Sequence, residues 1–329
     1  MELKENYIPA AIRYDNANDM FRRCGYSGVM LPKISLGFWH NFGGVDPYER
    51  SRAITHLAFD NGITHFDLAN NYGPPYGSAE ETMGQLLRDD FGPYRDELFI
   101  STKAGYDMWP GPYGEWGSRK YLMASLDQSL RRMNLDYVDL FYSHRYDPET
   151  PLEETLQALV DIVRSGKALY VGISRWPLEA LKIADKYLRE RDVPLLIYQG
   201  RLNLLDREPQ EDGILDYCAE HGIGFISFSP LAQGLLTDRY LNGIPEGSRM
   251  TQGRFLKQET LTPELLAYLK RLNQTAEARG ETLAEMALAW ILAQRGVTSV
   301  LVGASSTQQL AKNLRCITAQ PFDEKDFEI

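Results

Sequence analysis

Three residues that can move a proton lie at or near the ends of two short apolar stretches. Asp67 ends residues 63–67, Tyr72 follows in a loop, and Lys103 ends residues 98–103. Burying a carboxylate at the end of a strand is costly unless a cation pairs with it, and Lys103 is the nearest candidate. If the two stretches are neighbouring parallel strands, the acid, the phenol and the amine meet at one edge. These residues therefore predict a proton-handling site.

Each of these residues taken singly also has a purely structural interpretation. A carboxylate at a strand end is more often a helix cap, and a single tyrosine usually only packs against its neighbours. The combination of an acid, a phenol and an amine is what favours chemistry over structure.

The chain around these residues repeats a short apolar segment followed by an amphipathic one. Residues 34–38 and 47–61 are the first such pair, and eight pairs follow one another in about 290 residues, which favours a closed barrel. The apolar segments are apolar on both faces, as parallel strands covered by helices are. We therefore predict an α/β fold, a single (β/α)8 TIM barrel domain spanning residues 1–329. A β-hairpin over residues 21–31 precedes the barrel, and residues 1–19 form a loosely ordered arm.

Composition disfavours several classes of protein. The 329 residues have a formal net charge of −10 and no basic block, which disfavours nucleic acid and anionic membranes as partners. No apolar run approaches the roughly 18 residues that a membrane-spanning helix needs. The N-terminus is polar, which argues against a secretory signal.

The cysteines and histidines indicate a compartment but no metal. Three cysteines are scattered at positions 24, 218 and 316, an odd number that fits a reduced, cytoplasmic location. The five histidines show no paired spacing typical of metal ligands, so we predict no metal site. No GxGxxG follows the first predicted strand, which disfavours a doubly wound dinucleotide fold.

Polar, ionisable and aromatic side chains follow most of the predicted strands. In a barrel of this type the loops after the strands form the active face. One or two such residues would be caps, whereas a ring of them predicts a site. The ring consists of Trp39, Asp67, Tyr72, Lys103, His144, Ser174, Arg175, Gln199, Phe228, Ser229, Gly303 and Ser305.

Several motifs make the chain resemble the aldo-keto reductases, from about residue 22 to residue 313. The motifs are GFWHNFG (37–43), FDLANNYG (66–73), KAG (103–105), FSPLAQGLLT (228–237) and the segment 303–313. Within the family, the chain is most similar to the bacterial branch that acts on glyceraldehyde 3-phosphate and methylglyoxal. That branch is related to the β subunits of voltage-gated potassium channels.

The resemblance implies a catalytic tetrad of Asp67, Tyr72, Lys103 and His144, with NADP(H) as the cofactor. Hydride addition to a carbonyl leaves an alkoxide that needs a proton, and a free phenol with a pKa of about 10 is a poor acid at neutral pH. We expect the Lys103 ammonium to lower the pKa of Tyr72 and Asp67 to keep Lys103 charged. His144 can donate a hydrogen bond to the carbonyl oxygen.

The resemblance also implies which residues bind the cofactor. Ser174, Arg175, Gln199 and Phe228 match positions at the nicotinamide, while Ser229, Leu231, Gln233, Gly234 and Leu235 match the stretch around the pyrophosphate. Residues that match positions at the adenosine 2'-phosphate and adenine are Arg239, Arg249, Ser305, Gln309 and Asn313. Trp39 and Gly303 complete the predicted set.

The substrate pocket is predicted from the same ring. Trp39, Tyr72, Trp109 and His144 should form its mouth, narrowed by the aromatic and proline-rich loop 106–113. A narrow mouth predicts a small polar aldehyde, such as methylglyoxal or a phosphorylated three-carbon aldehyde. Alternatively, Trp109 only packs this loop against the barrel.

Two other functions are compatible with the sequence. One is a redox-sensing, cofactor-binding subunit of a membrane channel, but the related channel subunits carry Asn where this chain has His144. The other is a barrel aldolase with Lys103 as a Schiff-base lysine, which the neighbouring Asp67 disfavours. The resemblance further suggests a homo-oligomer.

Overall fold

Ten strands form two sheets within residues 7–252 and 256–322, the part of the chain that this computed structural model describes. The first sheet is an antiparallel hairpin of β1 (Phe21–Arg23) and β2 (Met30–Pro32). The second is a closed parallel barrel. Its strands are β3 (Ile34–Gly37), β4 (His65–Asp67), β5 (Phe99–Ala104), β6 (Val138–Ser143), β7 (Ala168–Ser174), β8 (Ile197–Arg201), β9 (Gly224–Phe228) and β10 (Val297–Val302).

The barrel closes where the last strand pairs with the first. The strand order is β10-β3-β4-β5-β6-β7-β8-β9, and each neighbouring pair is parallel. The register places Asp67 beside Ser101 and Lys103 beside Tyr142. The predicted (β/α)8 TIM barrel with an N-terminal hairpin is therefore confirmed.

Helices connect the strands and cover the outside of the barrel. Those of the described residues are α1 (Ala17–Met20), α2 (Tyr48–Asp60), α3 (Ser78–Leu86), α4 (Arg119–Met133), α5 (Leu152–Arg164), α6 (Leu178–Arg189), α7 (Glu208–Glu211), α8 (Ile214–His221), α9 (Arg249–Gln252), α10 (Pro263–Ala278), α11 (Leu283–Ala293) and α12 (Thr307–Leu314).

Local sequence signals explain where several of these helices begin and break. The Ser118 side chain accepts a hydrogen bond from the backbone N–H of Tyr121 and so caps α4. Thr282 and Glu285 form a reciprocal capping box at the start of α11. Gly213 adopts a left-handed φ of 76° between α7 and α8, so the two helices do not run on as one.

Apolar side chains fill two regions. The larger lies between the strands and the helices and includes Phe38, Phe66 and Trp290. The smaller joins Leu31 of the hairpin to inward residues of the barrel, Tyr142 among them. The hairpin therefore packs against residues of the barrel interior.

Close packing inside the barrel depends on a glycine beside Tyr142. A Cβ atom built on Gly172 of β7 would lie 2.6 Å from two carbons of the Tyr142 ring. Real side chains do not approach so closely, so the absence of a side chain at position 172 makes room for the tyrosine.

The N-terminal segment is more ordered than the loose arm that we predicted over residues 1–19. Tyr7 stacks on His56 of α2 with ring centroids 3.8 Å apart. Its hydroxyl donates a hydrogen bond of 2.8 Å to Asp60. These contacts fasten Tyr7 to α2 on the outside of the barrel, an attachment that the polar local sequence did not reveal. The first six residues of the predicted arm lie outside the described part of the chain.

Two features are absent from the described residues: a helix apolar enough to span a membrane and a cluster of metal-ligating side chains. None of the helices found there has the length and apolar character that crossing a bilayer requires. No group of three or more His, Cys, Asp or Glu side chains in that part of the chain could hold a metal ion. Cys24, Cys218 and Cys316 are buried free thiols.

Candidate active site

Asp67 and Lys103 form a fully buried ion pair at the carboxyl ends of β4 and β5. The Lys103 Nζ atom lies 2.5 Å from Asp67 Oδ2 and 2.7 Å from the backbone oxygen of Leu68. It also lies 3.3 Å from the Tyr72 hydroxyl and 4.7 Å from the centroid of that ring. The structure therefore brings the predicted acid, amine and phenol together at one edge of the barrel.

The backbone between β4 and Tyr72 is fastened to β5. The N–H of Leu68 donates to the Ser101 carbonyl, and the N–H of Asn70 donates to the Lys103 carbonyl. The loop that carries Tyr72 thus begins as a continuation of the strand pairing. This pairing fixes the distance between the phenol and the amine.

The second carboxylate oxygen of Asp67 is also occupied. Ser101 Oγ donates to Asp67 Oδ1 over 2.7 Å, and Gln199 Nε2 donates to the same atom over 3.3 Å. Hydrogen bonds on both oxygens, together with the ion pair, compensate for removing the charge from water. Gln199 was predicted as a cofactor residue, and Ser101 was not singled out from the sequence.

The pKa of Tyr72 shifts in the direction opposite to the one that we predicted. Burial, and then the negative charge of Asp67, raise the pKa of Tyr72 well above its usual value of 10. Burial also lowers the pKa of Lys103, although Asp67 opposes this. The expected lowering by Lys103 is outweighed because a buried phenolate loses its hydration. Tyr72 consequently keeps its proton at neutral pH.

His144 follows β6 and faces Tyr72 across the barrel mouth. The two rings meet edge to face with centroids 5.8 Å apart, and the Tyr106 ring lies 4.8 Å from the imidazole. Burial, followed by the positive charges of Lys103, Arg175 and Arg145, holds the pKa of His144 well below its usual 6.5. The imidazole is therefore neutral, and its Nδ1 atom has no hydrogen-bond partner within the described residues.

Other predicted residues lie at the ends of the next strands. Ser174 ends β7, and Phe228 ends β9. Arg175 adopts a left-handed φ of 56°, and its Nη1 atom donates to the Tyr106 hydroxyl over 3.2 Å. Trp39 follows β3, with its ring centroid 4.0 Å from that of His40.

The loop after β9 takes a tightly turned path. Ser229, Gln233 and Gly234 have positive φ angles of 51°, 62° and 99°. The Arg249 guanidinium donates a hydrogen bond to the Gln233 side chain. Burial, and then the nearby charge of Arg239, lower the pKa of Arg249. The structure thus places both predicted arginines by this loop, together with Leu231 and Leu235 within it.

A third group follows β10. Ser305 donates to the Gln309 side chain from its backbone N–H over 2.9 Å and from its hydroxyl over 3.0 Å. Asn313 is buried on α12, and among the described residues its Nδ2 atom has no acceptor. No described atom outside the neighbouring residues lies within 4 Å of the Cβ position of Gly303.

Trp109 contacts a helix residue of the barrel exterior. Its ring centroid lies 5.0 Å from that of Tyr121, whose hydroxyl donates to the Tyr106 carbonyl over 2.5 Å. This contact agrees with the alternative in which Trp109 packs the loop against the barrel.

Sequence reasoning missed Arg145, which immediately follows His144. Its guanidinium lies 3.5 Å from the centroid of Trp116 and 4.5 Å from that of Tyr106, and it donates to Glu115 over 2.8 Å. The only signal available in the sequence was its position next to a predicted site residue.

An eight-stranded barrel among the described residues, with a buried Asp–Lys pair beside a tyrosine at its carboxyl end, fits a barrel oxidoreductase. The chain belongs to the aldo/keto reductase family, whose family model matches residues 33–329. It is accordingly an enzyme of the reductase class.

Two named relatives extend over most of the chain. It is 57% identical to the L-glyceraldehyde 3-phosphate reductase of Escherichia coli K12 over 310 residues, 93% of this chain and 90% of that protein. It is 34% identical to a probable voltage-gated potassium channel subunit beta of Arabidopsis thaliana over 308 residues, 92% of each chain.

Proposed function

We propose that the protein reduces small aldehydes, of the L-glyceraldehyde 3-phosphate and methylglyoxal type, to alcohols with NADPH. The observation that carries this proposal is the position of Lys103 Nζ between Asp67 and the Tyr72 hydroxyl, opposite a neutral His144. The name of the relative that is 57% identical supports the choice of substrate.

The residues around β9 and β10 fit NADP(H), which supplies a hydride when bound. The unpartnered Nδ2 of the buried Asn313 is a donor within the described residues that an adenine nitrogen would satisfy. Arg239 and Arg249 place two positive charges near the same loop, as a 2'-phosphate requires. The open space in front of Gly303 allows a ligand to approach the backbone.

In the proposed reaction Tyr72 is the general acid. Its raised pKa keeps the hydroxyl protonated at neutral pH, so the proton is available to the oxygen that becomes negative during reduction. Lys103, at 3.3 Å, stabilises the phenolate that remains, and Asp67 holds that ammonium in position.

His144 orients the substrate oxygen. Because burial, and then the positive charges around it, keep the imidazole neutral, it donates a hydrogen bond from its N–H without giving up a proton. Arg145 and Arg175 make the same mouth electropositive, which favours an aldehyde that carries a phosphate.

Steady-state NADPH oxidation tests the proposal. The substrates are L-glyceraldehyde 3-phosphate, methylglyoxal and a bulky cyclic ketone under identical conditions. We expect a higher kcat/KM for the two small aldehydes, because a few polar groups near the carbonyl select the substrate. A clear preference for the ketone would contradict the proposed substrate class.

The same assay separates the enzyme from the alternative function, a redox-sensing channel subunit. NADPH binding without turnover of any aldehyde would favour the subunit. The single-domain organisation, a homo-oligomeric state and the cytoplasmic location stay predictions.

A further inference from the structure

A line of hydrogen bonds runs through the barrel interior and ends on Asp67. Its side chains lie on four neighbouring strands, β10, β3, β4 and β5, and all are fully buried. The line begins at the backbone oxygen of Pro32. Its contacts are Pro32 O to Ser299 Oγ (2.7 Å), Ser299 Oγ to Ser35 Oγ (2.7 Å), Ser35 Oγ to His65 Nδ1 (2.8 Å), His65 Nε2 to Ser101 Oγ (2.9 Å) and Ser101 Oγ to Asp67 Oδ1 (2.7 Å).

Ser101 has one proton and two neighbours that could accept it. A hydroxyl donates preferentially to a carboxylate, because such a bond is roughly twice as strong as one between neutral groups. The Ser101 proton therefore points to Asp67. The contact with His65 must then be made by an Nε2–H that donates to Ser101 Oγ.

This direction determines the tautomer of His65. The imidazole is neutral because burial lowers its pKa to about 4. Asp67 raises that pKa and Lys103 lowers it, while the ring edge of Phe99 lies against the imidazole at 5.4 Å. A neutral ring with its proton on Nε2 accepts at Nδ1, so Ser35 donates to His65.

The arrangement of the remaining protons follows from the Nε2–H tautomer. Five contacts join two acceptors, the Pro32 carbonyl and the Asp67 carboxylate. Three serine hydroxyls and one neutral imidazole provide four protons. One contact therefore has no proton. Because Ser101 donates to Asp67, His65 donates to Ser101 and Ser35 donates to His65, that contact is one of the two made by Ser299. Every other donor in the line points towards the carboxylate.

We propose that His65 is a positioning residue, which directs the Ser101 hydroxyl onto Asp67 and thereby holds Lys103 beside Tyr72. The inference rests on the proposed aldehyde reduction, because it assigns a purpose to the geometry of those three side chains. His65 touches none of the reacting atoms and acts only through Ser101.

Two pairs of matched variants test this role by kinetics. His65→Gln keeps an amide donor near the Nε2 position, whereas His65→Asn places its amide nearer Nδ1. Ser101→Thr keeps the hydroxyl that Ser101→Ala removes. We expect His65→Asn and Ser101→Ala to lower kcat by about 10- to 100-fold, as small displacements of reacting groups do. His65→Gln and Ser101→Thr should retain most of the rate. The KM for NADPH should change little in all four variants.

If His65 had only a structural role, the kinetic results of the four variants would differ from those expected above. All four variants would then lose thermal stability, while their kcat at a temperature where they are folded would stay within about two-fold of the parent protein. That result would overturn the proposal. If either His65 variant fails to fold, the Ser101 pair decides the question by the same comparison.

The tautomer of His65 provides a test that does not depend on activity. Histidine-selective ¹⁵N labelling and long-range ¹H–¹⁵N spectra distinguish Nε2–H from Nδ1–H, and His65→Gln identifies the resonance. We expect Nε2–H. An Nδ1–H ring would mean that Ser101 donates to His65, and it would refute the inference even in an active enzyme. An inactive parent protein with Nε2–H would instead contradict only the proposed function.

Discussion

The Tyr72 hydroxyl lies 3.3 Å from Lys103 Nζ, yet the phenol has a pKa well above its usual value. The ammonium is close enough to stabilise a phenolate, whereas burial and Asp67 disfavour it. Tyr72 is thus a protonated acid beside a cation that can stabilise its conjugate base.

Tyr72→Phe should remove most turnover and leave NADPH binding near normal. The phenol is the proposed proton donor, and loss of a general acid costs about 10²–10⁴-fold in rate. Measuring kcat by NADPH oxidation and Kd by fluorescence tests both parts.

Tyr142→Phe is the matched control for this variant. Tyr142 is fully buried, whereas Tyr72 is half-buried. The Tyr142 ring centroid lies 5.7 Å from Lys103 Nζ, but among the described residues its hydroxyl has no hydrogen-bond partner. We expect this control to keep most of the activity. A Tyr72 variant as active as the control would show that the acid is another group.

The reduction rate should not change with pH near 6.5. His144 has a pKa well below that value, so it is neutral on both sides of pH 6.5. Tyr72 has a pKa well above 10, so its proton is retained on the alkaline side. The plot of log kcat against pH should therefore be flat between these limits. An acid limb centred near 6.5 that disappears in His144→Gln would contradict the assignment.

NADPH should bind more tightly than NADH. Arg239 and Arg249 are the residues that we propose to bind the 2'-phosphate, and a charge-assisted hydrogen bond contributes about 1.5–3 kcal/mol. Arg239→Ala should therefore weaken NADPH binding by roughly 10-fold or more and leave NADH almost unaffected. NADH is the internal control in this fluorescence titration. An equal loss of affinity for both cofactors would show that Arg239 does not contact the 2'-phosphate.

The stability of the protein should fall in acid partly because of His65. Its pKa is about 4 in the folded chain and 6.5 in a model peptide. Below pH 6.5 the unfolded state binds a proton that the folded state does not accept until about pH 4. Stability is lost across that window, by about 2 kcal/mol at pH 5.

Urea unfolding at pH 7.5 and pH 5 measures this contribution. His65→Gln cannot bind the proton, so its free energy of unfolding should decrease less between the two pH values than that of the parent protein. Identical decreases would mean that His65 is protonated in the folded state.

The barrel, and the meeting of Asp67, Tyr72 and Lys103 at one edge of it, could be predicted because their signals are local. Apolar segments alternate with helical ones, and Asp67 and Lys103 stand at segment ends. The environment of Tyr72 could not be predicted, since its pKa depends on burial by residues from the whole barrel. Likewise, the N-terminal segment is held by Tyr7 and a helix about 50 residues further along the chain.

The line of hydrogen bonds that ends on Asp67 could not be predicted from the sequence either. His65 and Ser101 stand two residues before Asp67 and Lys103, so the strand period already puts each on the same face as its neighbour. The strand period does not reveal the serines that continue the line from His65. Ser35 and Ser299 are 264 residues apart in the chain and meet only when the barrel closes.

The close approach of the Tyr142 ring to Gly172 restricts which residues can replace either of them in related proteins. The ring of Tyr142 occupies the space that a methyl group at position 172 would need, at a distance of 2.6 Å. The two positions should therefore co-vary among homologues, with a larger residue at 172 appearing only alongside a smaller one at 142. Such an exchange would also alter the packing beside Lys103, whose Nζ atom lies 5.7 Å from the Tyr142 ring centroid. Variation at these two interior positions is therefore coupled to the surroundings of the buried ion pair.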